Sequence, residues 1–402
     1  MAETSLKTGM ANLPTVDTIQ ALLSSPDDAV LVRKPETTFE CRKPVRIYNF
    51  NYDNQIANAA GAPRVAQMDH WEDETLQLPP LTVSCLHDAR IMGGRIGSRS
   101  GTRHRDGQLL LTRKQQLVPN SFAIMDGGYT LPESYVLGST LEEPFELQCP
   151  EPEGRLEGTY FHLGSIHNHF GHFLLEGLTR LWALELLEAA GQDCRFIMYE
   201  GQLQPYQEEI LALAGVDADR IVHAPHATTV ERLIVADPAY RTHRWVRKEQ
   251  DRVWDRIASG IPAEEDPQRK IFLSRARTTD RPLENNDEVE ALFAAAGYDI
   301  VSPETMSPTD QIAMVRQCRS LAGCVGSQMY LAGFQPKGGR NVILAPKNFY
   351  LKDDALISHF RHHRLSVIFG DYIDLSAPKP ERSWTCPTED IQRCLELHSK
   401  RD

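Results

Sequence analysis

The sequence lacks paired cysteine motifs, long apolar runs and an excess of basic residues. Its eight cysteines include no Cys-x-x-Cys pair, which excludes a zinc ribbon or a thioredoxin motif and predicts reduced, mostly buried thiols. No run of about 18 apolar residues occurs, so a membrane-spanning helix is not expected, although peripheral membrane association is compatible with the sequence. The 43 Lys and Arg against 55 Asp and Glu give a net charge of −12, which argues against a general affinity for nucleic acid.

The start of the chain also lacks a secretory signal. Residues 1–7 contain no basic segment followed by an apolar core. Together with the reduced cysteines, this predicts a cytoplasmic protein.

The 402 residues are enough for two or three domains, and the composition changes along them. Residues 1–40 are polar and contain prolines, which predicts a loosely ordered lead-in, and residues 41–158 carry short β-like runs between turns, which predicts a β-rich portion. From residue 159 strands and helices alternate, which indicates an α/β architecture with mainly parallel sheets. An acidic, proline-bearing stretch near residue 260 divides this part into 159–260 and 261–375, and a C-terminal helical tail covers 376–402.

Helix boundaries are clearest in the second α/β part. Asn285 and Glu288 have the spacing of a capping box, and Gly297 predicts a left-handed stop at the end of the same helix. Ser307 followed by Pro308 predicts the start of the next helix.

A histidine-rich segment is the densest chemical signal. Four of the 14 histidines lie within eleven residues, from His162 to His172. A helix that begins near Phe170 would place His172, Glu176 and Arg180 on one face. A histidine with a carboxylate one turn away can act as a base with its orienting group, but the same spacing occurs in ion networks that only solvate a helix face.

The same segment allows a metal site. His167, His169 and His172 form a His-x-His-x-x-His pattern that could ligate zinc with a distant Asp. A metal-dependent hydrolase is therefore an alternative function.

Three arginines follow a predicted strand in the second α/β part. Ser274 and Arg275 come directly after that strand, and Arg277 and Arg281 lie close behind. Arginines at the carboxyl end of a parallel strand can hold phosphate oxygens bidentately. A solvated loop is the alternative interpretation.

Two further features of the second α/β part are suited to binding a nucleotide. Gly326 and Ser327 lie between a strand and a short helix, where backbone N–H groups favour an anion. Glu304 follows another strand and could accept hydrogen bonds from ribose hydroxyls.

Two acidic pairs are weaker candidates for a functional site. Asp217 and Asp219 have the spacing of a divalent-metal site, but their position after Gly215 favours an ordinary turn. Asp353 and Asp354 lie in a polar stretch, and the sequence indicates no partner for them.

The combined pattern resembles glycosyltransferase family 61, over about residues 160 to 346. The matching positions are Asn168, Phe170, Gly171, His172, Glu176, Arg180, Ser274, Arg275, Arg281, Gly297, Pro303, Glu304, Ser307, Gln311, Gly323, Gly326, Ser327 and Phe334. Val325 and Leu331 depart from it, since members often carry His and Asn there.

The resemblance implies a GT-B-like fold with two Rossmann-like domains that face a cleft. It also implies inversion at the anomeric carbon, a nucleotide-sugar donor that is usually a UDP-sugar, a glycan or polysaccharide acceptor, and no obligatory metal or other cofactor. A transferase-like module that binds nucleotide or glycan without catalysis is a further alternative.

The residues and the resemblance together give one set of expected roles. The expected catalytic residues are His172, Glu176 and Asn168, with His172 as the base and Glu176 either orienting it or exchanging roles with it. The expected donor-binding residues are Ser274, Arg275, Arg281, Glu304, Gly326 and Ser327. Arg180, His167 and His169 are expected to orient the acceptor or the catalytic groups.

Overall fold

The computed structural model of the chain is a mixed α/β structure, which confirms the predicted α/β class. It describes residues 16–34, 37–41, 46–48, 74–78, 80–98, 104–118, 123–126, 129–130, 145–148, 151–164, 166, 168–199, 202–224, 227–262, 267–347, 349–350, 352–374, 376–377 and 381–399.

The described residues form 21 strands. In chain order these are β1 Ala29–Lys34, β2 Thr37–Cys41, β3 Arg46–Tyr48, β4 Glu74–Leu78, β5 Leu81–Ser98, β6 His104–Leu111, β7 Ala123–Asp126, β8 Tyr129–Thr130, β9 Phe145–Gln148, β10 Gly154–His162, β11 Arg195–Tyr199, β12 Ile221–Ala224, β13 Ala227–Ala236, β14 Tyr240–Arg241, β15 Trp245–Val246, β16 Arg269–Leu273, β17 Asp299–Val301, β18 Cys318–Cys324, β19 Arg340–Pro346, β20 Arg364–Tyr372 and β21 Trp384–Thr385.

The helices are α1 Val16–Leu23, α2 Phe170–His172, α3 Leu184–Ala189, α4 Pro205–Leu213, α5 Lys248–Ser259, α6 Asn286–Ala295, α7 Pro308–Arg316, α8 Asp353–Phe360 and α9 Thr388–Ser399. Within the described ranges, four 3₁₀ segments cover Leu181–Ala183, Ala218–Arg220, Pro303–Thr305 and Ser327–Phe334, and a π-helical turn covers Phe173–Gly177.

The first large sheet joins the β-rich portion to the first α/β part. Its order is β12-β11-β10-β13-β5-β6-β7-β8, with β1 and β9 also paired to β5. The strands β10 to β13 are mutually parallel, whereas β13 pairs antiparallel with β5. The boundary predicted after residue 158 falls inside β10, because a change in composition does not report which strands will pair.

The second large sheet has the order β17-β16-β18-β19-β20-β21, with β3 beside β20. The strands from β16 to β20 are parallel. Helices separate them along the chain, as expected for parallel connections.

Each sheet contains a point at which the strand order reverses. Numbered along the chain, the parallel strands lie in the order 3-2-1-4 in the first sheet and 2-1-3-4-5 in the second. The reversals fall between β10 and β13 and between β16 and β18. In open α/β sheets, ligands bind beyond the carboxyl ends of the two strands that flank such a reversal.

Part of the N-terminal segment pairs with the first sheet. Helix α1 buries Leu22 and Leu23, and β1 pairs antiparallel with β5. The loosely ordered lead-in expected over residues 1–40 stays a prediction, and residues 1–15 lie outside the described residues. The average composition of this segment is polar, so it did not indicate that Leu22 and Leu23 would be buried.

The helix signals of the second part are only partly confirmed. The Ser307 side chain accepts the N–H of Asp310 at the start of α7, and Gly297 has a left-handed φ of 83°, as predicted. Helix α6 begins where expected, but the predicted capping box does not form. The Asn285 side chain instead exchanges two hydrogen bonds with the backbone of Cys386, at 2.8 and 3.0 Å.

Helix α5 fixes the two sheets relative to each other. Its Trp254 packs against Gly333, and a Cβ atom at that glycine would lie 2.9 Å from the indole. At the end of α8, Arg361 donates to Asp251 and Asp255 of α5, at 2.6 and 2.7 Å. The largest apolar core contains residues of both sheets, so the elements between them form a continuous interior.

The cysteines whose side chains the structure describes are buried and form no disulfide: Cys85, Cys194, Cys318, Cys324, Cys386 and Cys394. Burial raises the pKa of Cys85 to about 11 and that of Cys318 to about 12, so these thiols are protonated and unreactive. Among the described helices, none is long and apolar enough to cross a bilayer.

Candidate active site

A cavity of about 700 Å³ is lined by the segments that follow β10, β13, β16 and β18. It therefore lies at the order reversals of both sheets. The sequence-predicted site residues on its wall are His169, His172, Arg275, Arg281, Glu304, Gly326 and Ser327. The structure thus brings the histidine segment and the arginine segment, more than 100 residues apart, to one crevice.

Two glycines allow the two parts to approach closely. A Cβ atom at Gly171 would lie 2.6 Å from the Ser327 hydroxyl and 2.9 Å from the Tyr330 ring. Gly326 has a φ of 140°, which side chains rarely permit, and its Cβ position lies 3.2 Å from the Arg275 guanidinium. The helix start at Ser327 therefore lies between α2 and Arg275.

We expect Gly171→Ala to lower the free energy of unfolding by about 1–3 kcal/mol, because the added methyl group overpacks the contact with Ser327. Chemical denaturation would measure the change. Gly154→Ala is the matched control, since a Cβ at Gly154 meets no atom within 4 Å. Equal stability of the two variants would contradict the close approach.

His172 is held by a buried carboxylate. Its Nδ1 lies 2.7 Å from Oε2 of Glu176, whose side chain is 6% exposed, while the His172 side chain is 32% exposed. Thr242 donates a short hydrogen bond to the other carboxylate oxygen of Glu176. With both oxygens engaged, the carboxylate fixes the ring, and Nε2 is the nitrogen through which His172 can act on a ligand.

The helix predicted around His172 is not continuous. Helix α2 passes into the π-helical turn and then into a 3₁₀ segment. The buried side chain of Arg180 is not on the cavity wall and donates to the carbonyl of Ala236 at the end of β13. The prediction that Arg180 shares a face with His172 and Glu176 assumed uniform α-helical rotation, which the π-helical turn interrupts.

His162, the first histidine of the cluster, belongs to the core. Its side chain is buried at the end of β10. Burial, together with the nearby Arg180, lowers the pKa of His162 to about 3, so the ring is neutral.

The opposite wall of the cavity carries two guanidinium groups. Arg275 donates to the carbonyls of Val325 and Asp280, at 3.3 and 2.6 Å. Arg281 pairs with the Asp280 carboxylate at 2.9 Å, and its Cζ lies 4.0 Å from the centre of the Phe349 ring. These contacts hold both cations beside the helix start at Ser327, in an arrangement suited to an anion.

Among the described residues, Ser274 and Asn168 are predicted site residues that do not lie on the cavity wall. Ser274 is buried and donates to Glu290 at 2.5 Å, so it fixes the turn after β16. Asn168 is exposed, and its carbonyl accepts the hydroxyl of Tyr206 at 2.8 Å. His167 lies outside the described residues.

The described residues give no support to the metal-dependent hydrolase. Among them, no group of three or more His, Cys, Asp or Glu side chains is arranged to hold a metal ion. The rings of His169 and His172 instead make an edge-to-face contact, with centres 5.0 Å apart. Burial, together with the neighbouring His172 and Arg281, lowers the pKa of His169.

A second histidine–carboxylate pair lies in the same cavity, and sequence reasoning missed it. Nδ1 of His243 lies 2.5 Å from Asp353, whose carboxylate is fully buried. Asp353 also accepts the Tyr240 hydroxyl at 2.8 Å and the backbone N–H of His243 at 2.9 Å. The interpretation of the Asp353–Asp354 pair as one without a partner is therefore wrong.

The charges of this pair follow from its surroundings. Burial alone raises the pKa of Asp353, but its contacts with His243 and Tyr240 outweigh burial and lower it. Burial alone lowers the pKa of His243, and Asp353 outweighs this and raises it. Burial and the adjacent Asp353 raise the pKa of Asp354 well above its usual range. The contact between Asp353 and His243 thus favours the charged forms of both groups, whereas the surroundings of Asp354 favour its neutral form.

Aromatic side chains complete the wall beside α2. Phe170 and Tyr206 pack edge to face, with ring centres 5.6 Å apart, and both border the cavity. Burial raises the pKa of Tyr206 to about 12, so its hydroxyl stays protonated. Sequence reasoning missed this aromatic contact, because two aromatic residues far apart in the chain are only a weak signal of a shared wall.

Residues 170–343 match the family model Glycosyltransferase 61. This match covers a little under half of the chain and supports membership of glycosyltransferase family 61, as the motif pattern indicated. The matched range begins two residues before His172 and ends in β19, so it contains every residue that lines the cavity except His169 and Phe349. No curated protein matches the chain significantly.

Proposed function

We propose that the chain is an inverting glycosyltransferase that moves one sugar from a UDP-sugar to a hydroxyl group of a glycan or polysaccharide. The observation that carries this proposal is the single cavity with a carboxylate-held histidine on one wall and two guanidinium groups at a helix start on the other. Membership of glycosyltransferase family 61 supports the transferase class. The strand orders on either side of the cavity support a GT-B-like pair of Rossmann-like domains.

In this mechanism, Nε2 of His172 removes the proton of the acceptor hydroxyl, and Glu176 orients the ring and stabilises its charge. The acceptor oxygen bonds to the anomeric carbon as the bond from that carbon to the diphosphate breaks on the opposite face. This direct displacement inverts the configuration.

The second wall receives the departing diphosphate. Its charge grows in an oxocarbenium-like transition state, where fixed donors are most effective. Arg275, Arg281 and the backbone N–H groups at Ser327 would supply that stabilisation, and Glu304 would contact the ribose. Because these groups provide the positive charge, transfer would need no obligatory metal.

A thermal-shift panel of nucleotides and nucleotide sugars tests this proposal. We expect UDP and at least one UDP-sugar to raise the Tm, because a ligand at about 100 times its Kd stabilises the folded state by about 2.7 kcal/mol. A shift with GDP or ADP but not with UDP would contradict the uridine assignment. The absence of a shift with every nucleotide would contradict the function.

A turnover assay with the donor found in this way separates the enzyme from a binding module. Release of UDP in the presence of glycan acceptors supports transfer. UDP binding without release of UDP from any donor would indicate a nucleotide-binding module.

A further inference from the structure

We propose that His243 is a second catalytic residue, whose Nε2–H donates a hydrogen bond to the diphosphate that leaves the donor sugar. This inference rests on the proposed glycosyl transfer. His243 follows β13, and its partner Asp353 lies beyond the residues that the family model matches.

The position of His243 is the first support. The strand β13 flanks the order reversal of the first sheet on one side, and β10, which leads to His172, flanks it on the other. Both histidines therefore lie in the segments that follow the two strands whose carboxyl ends open onto the cavity. His243 borders the same cavity as Arg275 and Ser327.

The orientation of the ring is the second support. Nδ1 pairs with Asp353, so Nε2 is the nitrogen that can act on a ligand. Asp353 is in turn within 3.5 Å of the hydroxyl of Tyr330, one turn into the helix that starts at Ser327. The helix whose start faces the diphosphate thus also positions the acid that holds His243.

The backbone of His243 is the third support. Its φ is 60°, in the left-handed region that non-glycine residues seldom occupy. The hydrogen bond from its N–H to Asp353 holds it there. Backbone strain of this kind persists where the surrounding structure fixes it, and it is concentrated at functional sites.

The two histidines then have complementary tasks. The acceptor proton goes to Nε2 of His172 as the new carbon–oxygen bond forms. The electron pair of the broken bond goes to the diphosphate oxygen, which accepts a hydrogen bond from Nε2–H of His243. The imidazolium form favoured by Asp353 has the proton that this donation needs.

UDP binding to the full chain, measured by calorimetry between pH 7 and pH 9, tests the inference. Because binding uses the imidazolium, affinity is full below the raised pKa of His243 and falls as the pH rises through it. The charged and titratable groups facing His243 include Asp353, Asp354, Tyr240, Tyr330, Glu176 and Arg244. We expect His243→Asn to bind UDP about tenfold more weakly at pH 7 and to lose most of the decline with pH.

Asparagine is chosen because it tolerates the left-handed backbone. As a second variant, Asp353→Asn keeps the hydrogen-bonding shape of the acid and removes its charge. We expect it to move the decline in UDP affinity to lower pH, an effect that a purely structural role would not produce. His223→Gln, an exposed histidine on β12, is the control and should follow the wild type.

The outcomes separate the two proposals. UDP binding that is equal in the wild type and in His243→Asn, with the same pH dependence, overturns the role of His243 and leaves the proposed function intact. Failure of the wild type to bind UDP at any pH overturns both.

Discussion

Arg275→Ala is expected to weaken UDP binding about 10- to 100-fold, since hydrogen bonds to charged groups contribute about 1.5–3 kcal/mol each. The loss in transfer should be larger, about 100- to 1,000-fold, because the charge on the diphosphate grows as its bond to the sugar breaks. Calorimetry with UDP and initial rates of UDP release would measure the two effects.

Arg277→Ala is the matched control for Arg275→Ala. It removes an arginine from the same loop, but Arg277 is exposed and is not on the cavity wall. Because Arg275 also binds the carbonyls of Val325 and Asp280, the Tm of each variant must be checked. Wild-type UDP affinity in a folded Arg275→Ala variant would contradict the proposed diphosphate site.

His172→Gln is expected to lower the rate of transfer about 100- to 10,000-fold, the range that general base catalysis contributes. Glutamine can still form a hydrogen bond with Glu176, but it cannot accept the acceptor proton. UDP affinity should be unchanged, because His172 acts on the acceptor. Steady-state kinetics and UDP calorimetry on the same preparation would show this separation.

His223→Gln supplies the corresponding control, since it replaces an exposed histidine outside the cavity. Transfer by His172→Gln at the wild-type rate would show that another group is the base. Loss of UDP binding by the same variant would place His172 at the donor instead.

The sequence predicted much of the α/β part because its signals are local. Ser307 with Pro308 marks a helix start, and Gly297 marks a helix end, and each requires only a few neighbouring residues. The meeting of His172 and Arg275 was also accessible, since both follow parallel strands whose carboxyl ends gather ligands.

The remaining features depend on contacts between distant parts of the chain. Asp353 meets His243 across 110 residues, and neither spacing nor composition links them. The π-helical turn at Phe173–Gly177 was not predicted either, because its local sequence pattern is that of an ordinary α-helical turn. The sequence likewise did not predict the pairing of β5 with β13, because strand pairing between distant segments depends on the tertiary fold.

The hydroxyl of Thr242 gives the site a property of its own. Thr242 directly precedes His243, and its hydroxyl donates to the carboxylate of Glu176, which holds His172. Glu176 also contributes to the electrostatic surroundings of His243. The two histidines are therefore tied through adjacent residues and one shared carboxylate. A displacement of either ring would be passed to the other, so the two groups keep one relative position in the crevice.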